Sequence, residues 1–165
     1  MVTMSALHAL TAELHSGFLT LAFVCVMIVA AAQVVVRYKN HMPDIFVRWA
    51  IVVRGYAEAA SYVAAVAGLL GLLLSGYTGM YAWPMDTLLE SGVVRNKILF
   101  TVYATVMWGA VIFIRTRFGR GLWTCPAMAF VYVTFTFVAY GFIGWRDRSG
   151  RTSRKGEASL TRSGA

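Results

Sequence analysis

Two histidines near the start of the chain are the side chains best suited to binding a haem or a metal ion. His8 and His15 lie seven residues apart in the segment LHALTAELHSGF, directly before a long apolar run. If this segment is helical, the two rings face almost the same way, because seven residues turn through about 700°. Their separation along the helix axis is then about 10.5 Å, whereas metal–nitrogen bonds measure about 2 Å. One ion therefore cannot bind both rings on a straight helix.

Further ligands for such a site are scarce in the sequence. The remaining histidine, His41, follows the first apolar run and is expected at the opposite membrane face. Methionines on the later runs could act as axial ligands, although methionine in membrane helices usually serves packing: Met80, Met107 and Met128. Two hypotheses for His15 stay open. It either meets a cofactor completed by another chain, or it is an interfacial histidine beside a capping Ser16; His8 is the weaker candidate ligand.

No other set of residues predicts catalysis or a metal centre. Paired carboxylates, a nucleophile beside a base and a glycine-rich phosphate loop are all missing from the sequence. The two cysteines, Cys25 and Cys125, form no CxxC motif and are expected to be free thiols that pack as small apolar side chains. We therefore predict no catalytic residue and no metal-binding residue.

The elements that carry these residues are predicted from composition and hydropathy. Hydrophobic residues make up 59% of the 165 residues, charged residues only 13%, and the mean hydropathy is +0.65. Such a chain has too little polar surface for water, which indicates an integral membrane protein. Four apolar runs are long enough to cross a bilayer core of about 30 Å: 17–36, 56–77, 98–114 and 124–145.

The fold class that follows is all-α, a four-helix transmembrane bundle in one membrane domain, 1–145. A short interfacial helix is expected to begin at Pro43 and Asp44, before the second span. Arg54 and Glu58 are spaced for an i, i+4 ion pair, although Glu58 could instead handle protons. A capping box at 87–90 predicts another short helix before the third span. Residues 146–165 form a polar basic tail.

The second run carries a pattern typical of close helix packing. Small residues recur along it at helical spacing: Gly68, Gly71, Ser75 and Gly79. They predict that this helix lies at the centre of the packing, either within the bundle or against another subunit. The third and fourth runs are rich in aromatic residues, which are expected to serve packing and lipid contact rather than a quinone cleft.

The basic residues point to membrane topology rather than to nucleic acid. The net charge is +8, and the cations lie between the apolar runs and in the tail. No nucleic-acid-binding motif accompanies them. Seven Lys or Arg flank the runs on each side, so the positive-inside rule gives no preference. From the short basic links after the first and third runs, we expect both termini outside the cell membrane.

Three stretches carry a resemblance to a known family: the histidine-bearing start of the first helix, the segment SGYTGMYAW, and the segment GFIGWRDRSG. The chain resembles a family of small four-helix bacterial and archaeal membrane proteins, classed as a domain of unknown function and suspected of binding haem. Its members start with a His-Pro-x-x-x-His-Phe-Pro-like segment. The resemblance covers about residues 7–150.

The resemblance implies roles for only a few residues. It implies His15 as a ligand of haem b, Thr78 and Gly79 as a turn, and Gly144 as a packing residue. Members often carry a histidine at the start of the third helix, where this chain has Asn96 and Lys97.

Three functions are weighed on these grounds. We expect a small accessory subunit, without catalytic activity of its own, that stabilises or docks the partner subunits of a larger membrane redox or metalloenzyme complex. The alternative is a membrane electron carrier linked to haem b or a quinone through His15. A small-solute transporter is the third, but the chain lacks the broken helices and midplane charges that such proteins use.

Overall fold

The computed structural model describes residues 3–82 and 92–141, and within these residues every regular element is helical. The four long helices are α1, Met4–Arg37; α2, Asp44–Ala82; α3, Gly92–Phe118; and α4, Pro126–Gly141. Short 3-10 helices, Lys39–His41 and Gly119–Trp123, join α1 to α2 and α3 to α4. Three apolar helical stretches are long enough to cross a membrane: Met4–Arg37, Asp44–Tyr81 and Ile98–Trp123. Over the described residues the prediction of an all-α fold with four long helices is thus confirmed; the fourth, Pro126–Gly141, is a shorter apolar helix.

Helix α1 begins 13 residues before the predicted span at 17–36, so both candidate histidines lie inside it. Its N-cap is Thr3, whose hydroxyl accepts a hydrogen bond from the backbone N–H of Ala6 at 3.3 Å. Ser16 is not a cap, because its hydroxyl donates to the carbonyl of Glu13 within the helix, at 2.9 Å. The straight-helix geometry assumed for the two histidines is therefore the observed one.

The prediction of a separate interfacial helix before the second span is wrong, because α2 covers both segments. The helix begins at Asp44, directly after Pro43, as predicted, but it continues without a break to Ala82. A proline first recurs at Pro84, and Gly55 has nothing within 4 Å of the position where a Cβ would stand. Nothing in this stretch therefore interrupts the backbone hydrogen bonds. At 1.5 Å per residue, 39 residues make a helix about 58 Å long.

Helix α3 contains the third predicted span, and α4 contains part of the fourth. Helix α3 ends where Gly119 adopts φ +51°, a left-handed conformation that glycine takes without steric cost. Of the span predicted at 124–145, residues 126–141 are helical. The capping box at 87–90, Gly144, and the tail at 146–165 lie outside the described residues.

The helices pack side by side in antiparallel order. Residues near the start of α1 contact the end of α2, and Gln33 near the end of α1 contacts Arg54 near the start of α2. Phe23 of α1 stacks on Tyr140 of α4, with ring centroids 4.2 Å apart. One core draws on all four helices, with members that include Leu19, Ala64, Trp108 and Ala139.

Candidate functional site

A buried band of polar side chains runs between α1 and α2 near the N-terminal end of α1. We call it the polar seam; its members are His8, Thr11, His15, Ser75 and Thr78. Four of the five are at most 6% exposed, and His8 is half-buried. The hydroxyls of Thr11 and Thr78 donate to carbonyls one turn earlier on their own helices. Because buried polar groups are costly without hydrogen bonds, these backbone contacts allow the seam to exist within an apolar helix pair.

His8 links the two helices directly. Its Nδ1 atom lies 3.0 Å from the carbonyl oxygen of Ser75 on α2 and 3.4 Å from the hydroxyl of Thr78. A carbonyl oxygen only accepts hydrogen bonds, so Nδ1 carries the proton and donates it. In the neutral ring the lone pair then resides on Nε2.

His15 also donates through Nδ1, but to a carbonyl of its own helix. Its Nδ1 atom lies 2.9 Å from the carbonyl oxygen of Thr11, to which it donates. The side chain is 1% exposed, so protein atoms enclose the ring. The sequence predicted that His8 and His15 share one face of α1, and the structure turns that face towards α2.

Glycines on α2 bring the two backbones together along the seam. A Cβ built on Gly71 would stand 3.0 Å from the Cβ of His15, and one built on Gly68 would stand 2.5 Å from a methyl carbon of Leu19. A Cβ on Gly79 would lie 3.0 Å from the His8 ring. The small residues singled out in the sequence therefore all lie on the α2 face that packs against α1.

A second polar group lies near the opposite end of the helix pair. We call it the polar layer; it comprises Gln33, Arg54, Glu58 and Arg115. Arg54 donates to the side-chain oxygen of Gln33 at 2.7 Å, and the Gln33 amide donates to the Trp123 carbonyl at 2.9 Å. Glu58 forms an ion pair with Arg115 of α3, and Arg115 also donates to the Gly119 carbonyl at 2.7 Å.

The predicted ion pair between Arg54 and Glu58 is wrong. Both side chains face inward, where each finds a partner on another helix: Gln33 on α1 for Arg54, and Arg115 on α3 for Glu58. Sequence reasoning missed Gln33 as a bridging residue. A polar amide near the end of an apolar span, where Thr20 is the one other hydroxyl or amide side chain, was the available signal.

A haem does not fit the residues that surround His15. The ring is enclosed, and the close approach of α2 at Gly71 leaves no separation between α1 and α2 for a macrocycle. Within residues 3–82 and 92–141, no group of three or more His, Cys, Asp or Glu could hold a metal ion. Of the candidate axial methionines, Met107 and Met128 pack against the apolar core and Met80 is exposed.

The two cysteines are both free thiols. Cys25 is buried in α1, as predicted, whereas Cys125 is exposed just before α4, so the prediction that it packs as a small apolar side chain is wrong.

Comparison of the chain with protein-family models, with curated proteins and with solved structures gives no match. The resemblance to the family of suspected haem binders therefore stays a prediction.

Proposed function

We propose that the protein is a small accessory subunit of a larger membrane redox or metalloenzyme complex, which it stabilises or docks as a four-helix bundle in the cell membrane. The observation that carries the proposal is that both candidate ligand histidines lie in the contact between α1 and α2. His8 donates to the Ser75 carbonyl across the helix pair, and His15 is enclosed where α2 packs closely against α1 at Gly71. The residues best suited to chemistry thus hold helices together.

The outer surface supports a docking role. Large apolar side chains on α3 and α4 are more than half exposed: Tyr103, Val106, Phe113, Phe130 and Phe137. In a small membrane protein such surfaces meet either lipid or the helices of partner subunits. Aromatic residues are enriched where helices of different proteins meet, because they bury a large area with few rotatable bonds.

Purification in a mild detergent tests this proposal. The tagged protein, isolated under native conditions, is expected to bring one set of larger membrane subunits at a constant molar ratio, as measured by quantitative mass spectrometry. An equally tagged, unrelated four-helix membrane protein serves as the control. Recovery of the protein without any partner at a constant ratio would overturn the proposal.

A haem-b or quinone-linked electron carrier is the second candidate; a haem would reach His15 only if α1 and α2 moved apart at Gly71. One observation favours it: Nδ1 of His15 donates to a backbone carbonyl, which is the orientation that directs Nε2 of a histidine towards a metal. An absorbance spectrum of the purified protein separates the candidates. A Soret band that His15→Ala abolishes and His8→Ala retains would establish the carrier and overturn the accessory role.

We also propose that the basic links face the cytoplasm and that both termini lie outside. The α1–α2 link and the α3–α4 link lie at the same end of the helices, because Gln33 binds the Trp123 carbonyl there. Short links rich in Lys and Arg stay on the cytoplasmic side.

A further inference from the structure

The end of the molecule formed by residues 37–56 is exposed over most of its length. We call it the hairpin tip, since it contains the end of α1, the 3-10 turn and the start of α2. Six of the seven exposed apolar side chains on its α2 part recur on one side of the helix, at spacings of three and four residues: Ile45, Phe46, Trp49, Val52, Val53 and Tyr56. The seventh, Ile51, is exposed on another side. The opposite side of the same stretch, at Val47, Ala50 and Arg54, is half-buried.

This apolar stripe extends beyond the bilayer core. Exposed apolar side chains occur on α2 from Ile45 to Tyr81, a length of about 54 Å at 1.5 Å per residue. A bilayer core is about 30 Å thick, and about 40–45 Å with its headgroup layers. A tilt of about 20° shortens the projected length only to about 51 Å. At least one end of this stretch of exposed apolar side chains must therefore lie at or beyond the headgroups.

The register of the hairpin places the Ile45 end of this stretch beside charged residues. Because Gln33 binds Arg54, the end of α1 at Arg37 lies level with about residue 50 of α2. Ile45 and Trp49 consequently lie at the height of the turn that carries Lys39. Apolar and cationic side chains at one height are typical of the boundary between headgroups and acyl chains, not of the hydrocarbon interior or of bulk water.

The charge at this end is strongly one-sided. Five exposed cations belong to it, three from the hairpin tip, one from the last turn of α3 and one from the neighbouring α3–α4 link: Arg37, Lys39, Arg48, Arg117 and Arg120. Asp44 is the one exposed acid among the described residues there, because Glu58 is paired with Arg115. A surface of this charge is complementary to anionic phosphates.

From the stripe, the register and the charge together, we infer that the hairpin tip is a binding surface for anionic phospholipids. The apolar side chains enter the boundary of the acyl chains, and Arg37, Lys39 and Arg48 contact the headgroup phosphates. This surface is independent of the proposed accessory role, since it needs neither a partner subunit nor His15.

Native mass spectrometry of the full-length protein in detergent tests the inference. The probes are phosphatidylglycerol and phosphatidylcholine with identical acyl chains. A basic residue near an anionic surface contributes about a fivefold gain in affinity. The unmodified protein is therefore expected to prefer phosphatidylglycerol at least tenfold, and the variant R37Q/K39Q/R48Q is expected to lose that preference. Added salt should weaken it, because screening reduces the attraction between charges.

Two control variants make the result specific to the hairpin tip. R95Q removes an exposed cation from the other end of α3 and is expected to keep the preference, as is R37K/R48K, which retains the charge. Circular dichroism checks that each variant remains folded; the substituted side chains are exposed. Equal binding of both lipids by the unmodified protein, or an undiminished preference in R37Q/K39Q/R48Q, would overturn the inference. Cross-linking of the tip to a partner protein in place of lipid would overturn it too.

Discussion

The glycines on α2 allow close helix packing because residues of α1 lie directly against them. At Gly71 the atoms nearest to an added Cβ would be Cβ and Cα of His15, at 3.0 and 3.4 Å. These atoms belong to or adjoin the backbone, so they cannot rotate away as the end of a side chain can. In a lipid environment, where the hydrophobic effect does not drive helices together, such close van der Waals packing is a main source of helix association.

We predict that Gly68→Ala destabilises the protein by about 1–3 kcal/mol, the usual cost of overpacking a tight contact. The added methyl would lie 2.5 Å from one Leu19 carbon, 2.7 Å from a second and 3.1 Å from the Leu19 backbone nitrogen, so α1 must shift. Thermal unfolding in detergent measures the effect.

Gly76→Ala on the same helix is the matched control. Its Cβ would meet only a methyl group of Thr101, at an ordinary 3.7 Å. Because alanine favours helix more than glycine does, by up to about 1 kcal/mol, stability should be unchanged or slightly higher. Equal effects of the two substitutions would contradict the close approach at Gly68.

At the scale of elements, the polar layer fixes α3 and its link against the α1–α2 pair. The ion pair between Glu58 and Arg115 joins α2 to α3, with side chains only 12% and 13% exposed. Gln33 joins α1 to both Arg54 and the 3-10 helix that follows α3. These contacts lie at one end of the helices, whereas the polar seam lies near the other.

We predict a strong energetic coupling between Glu58 and Arg115. Either Glu58→Gln or Arg115→Gln alone should cost about 1–3 kcal/mol, between the values for exposed and fully buried ion pairs. The double variant should cost less than the sum of the two, since each single variant leaves a half-buried partner behind. Thermal unfolding of all four proteins completes the cycle. Arg117→Gln, which removes an exposed cation two residues away, should leave the stability unchanged. If the effects of Glu58→Gln and Arg115→Gln simply add in the double variant, the ion pair is contradicted.

We predict that Gln33→Leu loosens the link between α3 and α4. The substitution removes the donor to the Trp123 carbonyl and the acceptor for Arg54, so hydrogen exchange should rise in the 3-10 helix Gly119–Trp123. Hydrogen–deuterium exchange with mass spectrometry measures this locally. Val34→Leu, at an exposed neighbouring position, should leave exchange in that helix unchanged. Unchanged exchange in Gln33→Leu would show that the hydrogen bonds of Gln33 do not stabilise this link.

For residues 3–82 and 92–141, the sequence predicted the all-α class and the places of the four long helices, because long apolar runs have few alternatives in a membrane. It also predicted that His8 and His15 share a face, since that follows from helix periodicity alone. It could not predict the partners of Arg54 and Glu58. An i, i+4 spacing is visible locally, but the register of three helices decides that Gln33 and Arg115 are the nearer partners.

The sequence did not predict that α2 is continuous, for a related reason. Charged residues such as Arg48 and Arg54 suggested a segment on the membrane surface, separate from the span. In the structure, Arg54 turns inward to Gln33 while Arg48 stays exposed, so one helix accommodates both. Only the packing of α1 beside α2 distinguishes these arrangements, and packing is not a local property of the sequence.

On the scale of the whole molecule, the two ends differ in chemistry. One end carries the polar seam and the exposed tyrosines Tyr77 and Tyr81; the other carries the hairpin tip and the basic α3–α4 link. Cys125 belongs to the second end, because it follows Trp123, whose carbonyl binds Gln33. It is exposed, whereas Cys25 is buried, so a single native thiol can report which end faces the cytoplasm.

We predict that a membrane-impermeant maleimide labels Cys125 only after cells that express the protein are permeabilised. The physical reason is the concentration of exposed Lys and Arg at this end, which favours the cytoplasmic side. Cys125→Ser should abolish labelling, since Cys25 is enclosed by α1 and its neighbours. In that background, Ser5→Cys places a thiol at an exposed position near the N-terminus, and it should react in intact cells. The opposite pattern, with Cys125 labelled in intact cells and Ser5→Cys protected, would reverse the orientation. It would also place the hairpin tip against the outer leaflet.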